Sequence, residues 1–94
     1  MHDWSLISIV FEWPSGILNL SFRYGEGHNA LLSAINVVEL LVPKREEWGP
    51  SVSVNEVTGP FMLANGNHRL LIEMQSGDII QIEAKNFTLP GVLN

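Results

Sequence analysis

Few residues in this 94-residue chain have the types and spacing that chemistry needs, and the strongest group of them is a loop. Lys44-Arg45-Glu46-Glu47-Trp48-Gly49-Pro50 sets a large aromatic side chain among charges and two backbone-turning residues. Such a loop has the makeup of a binding hot spot, with Trp48 as anchor and Arg45, Glu46 and Glu47 around it. A second reading folds Trp48 back to plug one end of the sheet packing, with Gly49 and Pro50 there only to turn the chain. The loop carries no phosphate-binding glycine run with its following lysine, and Ser51 and Ser53 sit in no G-x-S-x-G nucleophile elbow.

The three histidines, His2, His28 and His68, are too far apart in sequence to form a close-spaced ligand set. His2-Asp3 forms a polar pair that serves as a metal site or base only if folding adds further ligands. His68 falls on the apolar side of a strand, where a hydrogen-bonded histidine at the edge of the core is the simpler reading. Glu12, Glu39, Glu56 and Glu73 lie on expected strands, and solvated strand faces account for them without acid/base work. With no cysteine there is no disulfide framework and no thiolate metal site. No cofactor is expected.

Ten acids against five bases give a net charge of −5, which disfavours a nucleic-acid backbone or an anionic membrane as partner. A cationic protein is the better match, with Glu26 joining Glu46 and Glu47 in steering it. There is no apolar run near the ~18 residues of a membrane span, and no signal-like start, so a soluble cytoplasmic protein is expected.

The elements that must position these residues read as strands. Arg69 to Lys85 is two apolar-alternating runs joined at Gln75-Ser76-Gly77. A three-residue loop pairs Ile72 with Ile80, Leu70 with Ile82 and His68 with Ala84, gathering the aliphatics on one face, whereas a two-residue loop mixes the faces. Gly77 then takes the left-handed position, and Arg69 lies opposite Glu83.

At the N-terminus, WSLISIVFEW from Trp4 to Trp13 lacks strict alternation and suggests a central strand covered on both faces. Pro14-Ser15-Gly16 is read as a second three-residue turn, setting Val10 opposite Leu20, Ser8 opposite Phe22 and Leu6 opposite Tyr24. Ile7, Ile9 and Phe11 then need a cover, either a later strand or a second copy in a homodimer.

The run from residue 28 to 43 favours two short strands with a bend near Ile35 to Val37, reading Ala30, Leu32 and Ala34, then Val38, Leu40 and Val42, as alternating. A helix over 30–41 is the alternative. Residues 51–57 resume a strand, Thr58-Gly59-Pro60 breaks it, and a short apolar piece from Phe61 to Ala64 leads to the Asn65-Gly66 turn. After Lys85 the tail is read as irregular, with Phe87 and Leu89 docking on the body.

The opening His2-Asp3, the strand after it, the Trp13-Pro14-Ser15-Gly16 turn and the strand around Leu18 to Phe22 together resemble the start of small bacterial β-proteins of the immunity type. The stretch from Pro43 to Pro50 and the last hairpin are similar to parts of uncharacterised bacterial proteins, including orphans carried on mobile gene cassettes. The resemblance implies an antiparallel β-protein that neutralises a toxin delivered by a rival cell.

These readings combine into one all-β domain spanning 1–94, an antiparallel sandwich or partly open barrel of six or seven strands built from hairpins. The leading function is protein binding, including inhibition of a basic toxin. A small-molecule-binding barrel comes second. An enzyme using His2, Asp3, His28 or His68 is third and is not expected.

Overall fold

A computed structural model describes residues 4–45 and 53–90. They form six antiparallel strands, β1 (Ser5–Glu12), β2 (Ile17–Tyr24), β3 (His28–Leu41), β4 (Val54–Met62), β5 (His68–Met74) and β6 (Ile79–Thr88). The strand order is β1-β2-β3-β6-β5-β4, so two three-stranded meanders join along β3 and β6. The outermost strands meet at one end. Ser5 bridges Ser53, and the Trp4 carbonyl accepts the Val54 N–H at 2.8 Å. The sheet is thus rolled into a barrel whose ends touch at that point, as a partly open barrel requires.

Closure puts one face of each strand inside. Leu18, Leu20 and Phe22 of β2, Leu32 and Ala34 of β3, Val54 of β4, Leu70 and Ile72 of β5, and Ile80, Ile82 and Ala84 of β6 are all buried. The last hairpin has the register its side chains demand, with Ile72 opposite Ile80, Leu70 opposite Ile82 and Arg69 opposite Glu83. Its loop closes through the Gly77 N–H to the Met74 carbonyl at 2.9 Å, with Gly77 at φ 97°.

The first hairpin departs from the expected pairing. Its loop has four residues, Trp13 to Gly16, closed by the Gly16 N–H donating to the Glu12 carbonyl at 2.9 Å. Ile9, not Val10, therefore faces Leu20, and Phe11 faces Leu18. A bulge between Leu6 and Ser8 then sets Leu6, not Ser8, opposite Phe22. The cause is burial: paired residues share a face, so the three-residue loop would have driven Ser8 into the core beside Phe22. The missing alternation in β1 is the trace of this bulge, not of a strand covered on both sides. Ile9 and Phe11 pack on the core, while Ile7 and Val10 are half exposed.

The run from 28 to 41 is one 14-residue strand, neither a helix nor two strands. It is bent where the alternation breaks. Asn36 adopts φ 53°, and the register with β6 shifts between Val37 and Glu39. Past the bend the residues packed on the core are Val37 and Leu40, and Val38 is turned outward at 65% exposure. The first half pairs with β2 and the second with β6, so the bend lets one strand serve both meanders.

β4 runs through Thr58-Gly59-Pro60, which was expected to end a strand. The register slips between Thr58 and Phe61, the Gly59-Pro60 bond is cis, and only one side of β4 is hydrogen-bonded along this stretch, so a proline without an N–H is tolerated. A Cβ on Gly59 would lie 2.6 Å from the Arg69 carbonyl oxygen, so glycine is required there. β6 likewise continues to Thr88 where an irregular tail was expected, because Phe87 pairs with Ala34 and packs on the core, as Leu89 does.

Candidate protein-binding surface

Of the residues singled out in the sequence, those that the structure describes are not gathered into one place. Trp48, Glu46 and Glu47, like His2 and Asp3, lie outside the described residues. Arg45 and Glu26 are both exposed but stand beyond opposite ends of β3. His28 is exposed and stacks on Tyr24, which stacks in turn on Trp4 at 4.5 Å between ring centroids. His68 is half-buried, with Nδ1 3.0 Å from the Lys85 carbonyl, so that nitrogen carries the proton and donates. That matches a satisfied histidine at the core's edge. Across the sheet His68 aligns through Ala84 with Val37, in the other half of β3 from His28. Among the described residues no group of three or more His, Asp or Glu could hold a metal ion.

The structure brings forward a different tryptophan. Trp13 opens the four-residue turn and is 83% exposed. Its ring meets Phe11 edge to face, 5.7 Å away at 79°. The turn is held against β3 by the Gly16 carbonyl, which accepts the Val37 N–H at 3.0 Å. Because that bond lands beside the β3 bend, the outward-turned Val38 comes next to Trp13. Phe11, Trp13, Val37, Val38, Glu39 and Leu40 line a recess of about 320 Å³ between turn and strand. An exposed tryptophan over an apolar floor costs hydration and gives the fold little, which is the profile of an interface anchor.

Its charges are acidic and, among the described residues, uncompensated. Glu12 adjoins Trp13, and among the described residues its side chain receives only the Ser15 hydroxyl, at 3.4 Å. Glu39 lies opposite Glu83 in the β3–β6 register. Glu83 is already engaged: Asn65 and Asn67 donate to one carboxylate oxygen at 3.0 Å each, and Arg69 to the other at 3.2 Å. These donors, Asn67 first and then Asn65, hold the Glu83 carboxyl below the usual glutamate range; burial opposes them and Arg69 assists. Arg69 is thereby committed to Glu83, and Glu39 has no ion pair among the described residues. A second like-charge pair, Glu56 opposite Glu73, adds to the acidity of this side of the sheet. Directly opposed like charges destabilise a sheet by about 0.2 to 1 kcal/mol each, so nothing in folding asks for them.

The described residues also line two further recesses. One of about 330 Å³ lies where β1 parts from the β5–β6 end, lined by Leu6, Ile9, Val42, Met74 and Ile80 among others. The other, of about 350 Å³, is on the outer face of β1 to β3 around Ile7, Ser21 and Leu31. The buried side chains of the core cluster point into the barrel interior.

No protein-family model matches the chain, and no curated protein does. Among solved structures the chain is similar to an uncharacterized protein from Neisseria gonorrhoeae, with a TM-score of 0.64 and 21% identity. The likeness covers 94% of this chain and 90% of that one, so the two share a fold over nearly their whole lengths.

Sequence reading passed over Trp13 by treating it as the end of a strand. The signal was present, since Trp13-Pro14-Ser15-Gly16 has the same four residue types as the Trp48-Gly49-Pro50-Ser51 loop that was singled out. Trp13 belongs to the turn and not to the strand because the loop between Glu12 and Ile17 has four residues, not three.

Proposed function

We propose that this protein is a small acidic binding module that engages a cationic protein through the Trp13 surface. The observation that carries this reading is the 83% exposure of Trp13 beside Val38, rimmed by Glu12 and by Glu39, which has no ion pair among the described residues. A flat aromatic anchor supplies contact area at little entropic cost, and the surrounding carboxylates steer and select a partner of opposite charge. The net charge of −5 acts in the same direction at longer range. A basic toxin, of the kind that the resemblance to immunity-type proteins implies, is a partner with the required chemistry.

The test is affinity capture from the host with the full chain as bait, run beside Trp13→Ala and repeated at raised salt. The reading expects a basic protein retained by wild type, released by salt, and lost with Trp13→Ala; the purified partner should then bind with the same dependence. Equal recovery by wild type and Trp13→Ala would overturn it.

A further inference from the structure

Resting on that reading, we infer that the group the Trp13 recess takes from its partner is an arginine side chain, stacked on the indole and paired with Glu39. Three observations converge. First, the Trp13 ring is held from one side by Phe11, edge to face at 79°, and is otherwise free at 83% exposure, leaving indole surface open. A planar guanidinium stacks on such a surface, and an arginine stem covers apolar floor of the kind Val38 and Leu40 provide.

Second, Glu39 lines the same recess and needs a cation that the described residues do not supply. The neighbouring guanidinium, Arg69, is tied to Glu83 at 3.2 Å, and Glu83 has two amide donors besides. The like-charge pairing of Glu39 with Glu83 is therefore relieved on one side only. An incoming guanidinium relieves the other.

Third, among the described residues the recess of about 320 Å³ is lined by no cationic residue, and its one titratable lining group is Glu39. That selects for positive charge. It selects arginine over lysine because a fork of N–H groups can meet the carboxylate while its plane lies on the ring, whereas an ammonium is a hydrated point charge.

The experiment uses the full chain and three blocked peptides of one sequence, each with a central arginine, lysine or citrulline between apolar residues. Citrulline keeps the shape of arginine and removes its charge. Binding is read in nitrogen-edited NMR from the indole N–H signal of Trp13, assigned through Trp13→Phe, and from the backbone amide signals of Val38 and Glu39 in the same recess, which serve alone in Trp13→Ala. The remaining signals report that each variant is folded. The arginine peptide should shift the Trp13 signal and bind about threefold to tenfold more tightly than the citrulline one, with lysine between. Glu39→Gln should remove most of that preference while leaving apolar binding, and Trp13→Ala should abolish the binding. Equal binding of arginine and citrulline, or lysine as tight as arginine, would refute the arginine assignment; if Trp13→Ala still abolished binding, the anchor itself would stand. No shift with any peptide, or binding indifferent to Trp13→Ala, would refute both.

Discussion

Replacing Trp13 with alanine separates an interface residue from a structural one, because the two roles differ in stability cost by an amount that urea denaturation resolves. At 83% exposure about one sixth of the residue is covered. For a tryptophan of roughly 250 Å² that is about 40 Å², or about 1 kcal/mol at 25 cal/mol per Å². The edge-to-face contact with Phe11 adds about 0.5 to 1.5 kcal/mol. The expected cost of Trp13→Ala is therefore about 1.5 to 2.5 kcal/mol. Phe22→Ala is the comparison, since Phe22 of β2 is fully buried in the core, and emptying such a site costs about 3 to 5 kcal/mol. Both variants are measured against wild type by fluorescence and circular dichroism, with the denaturant slope checked for constancy. If Trp13→Ala costs as much as Phe22→Ala, the indole is part of the core in solution and the reasoning for an exposed anchor fails.

Gly59→Ala should destabilise by about 2 to 4 kcal/mol, because the residue has φ 101° and its new Cβ would lie 2.6 Å from a backbone oxygen. Gly77→Ala, also at positive φ but with open space around it, should cost only about 1 kcal/mol, and equal losses in denaturation would refute the close-approach argument. Asn36→Val should cost about 1 to 2 kcal/mol, since a β-branched residue resists φ 53°, whereas Asn36→Gly should be nearly neutral; a neutral valine variant would show that the β3 bend does not depend on that conformation. Glu83 has its folded pKa lowered, so its stabilising contribution is present above the unfolded value and is lost as pH falls through the folded one. Melting temperatures recorded from about pH 6 down to about pH 3 should accordingly fall less steeply in Glu83→Gln than in wild type, and parallel curves would contradict the assignment.

How much was legible can be judged from the two hairpins at either end. In the last one the aliphatic pattern on both strands alternates without a break, so only one register puts Leu70, Ile72, Ile80 and Ile82 on one face, and Gly77 supplies the positive φ that its loop needs. In the first, a loop read as three residues sends Ser8 inward, whereas the four-residue loop keeps it out and the bulge at Ile7 then brings Leu6 opposite Phe22. The same faces-must-match test, applied to Leu18, Leu20 and Phe22, would have exposed that choice. The bend in β3 was visible as a broken alternation near Ile35 to Val37, but its direction was not, because an inserted residue leaves no mark on composition.

Taken alone, the chain determined its strand-forming runs, the closing hairpin's register, the acidic balance and the absence of cysteine chemistry. These are local or additive properties: alternation, turn residues and charge are set by near neighbours. Which residues became surface was decided by closure. Rolling β1 toward β4 and running β3 across both meanders chose an inside, and that choice put Phe22 at the centre and left Trp13 and Val38 together in water. The pairing of Glu39 with Glu83, and of Arg69 with Glu83 instead of Glu39, likewise depends on contacts between β3, β5 and β6. Such contacts join residues dozens of positions apart, and no single segment carries the information that brings them together.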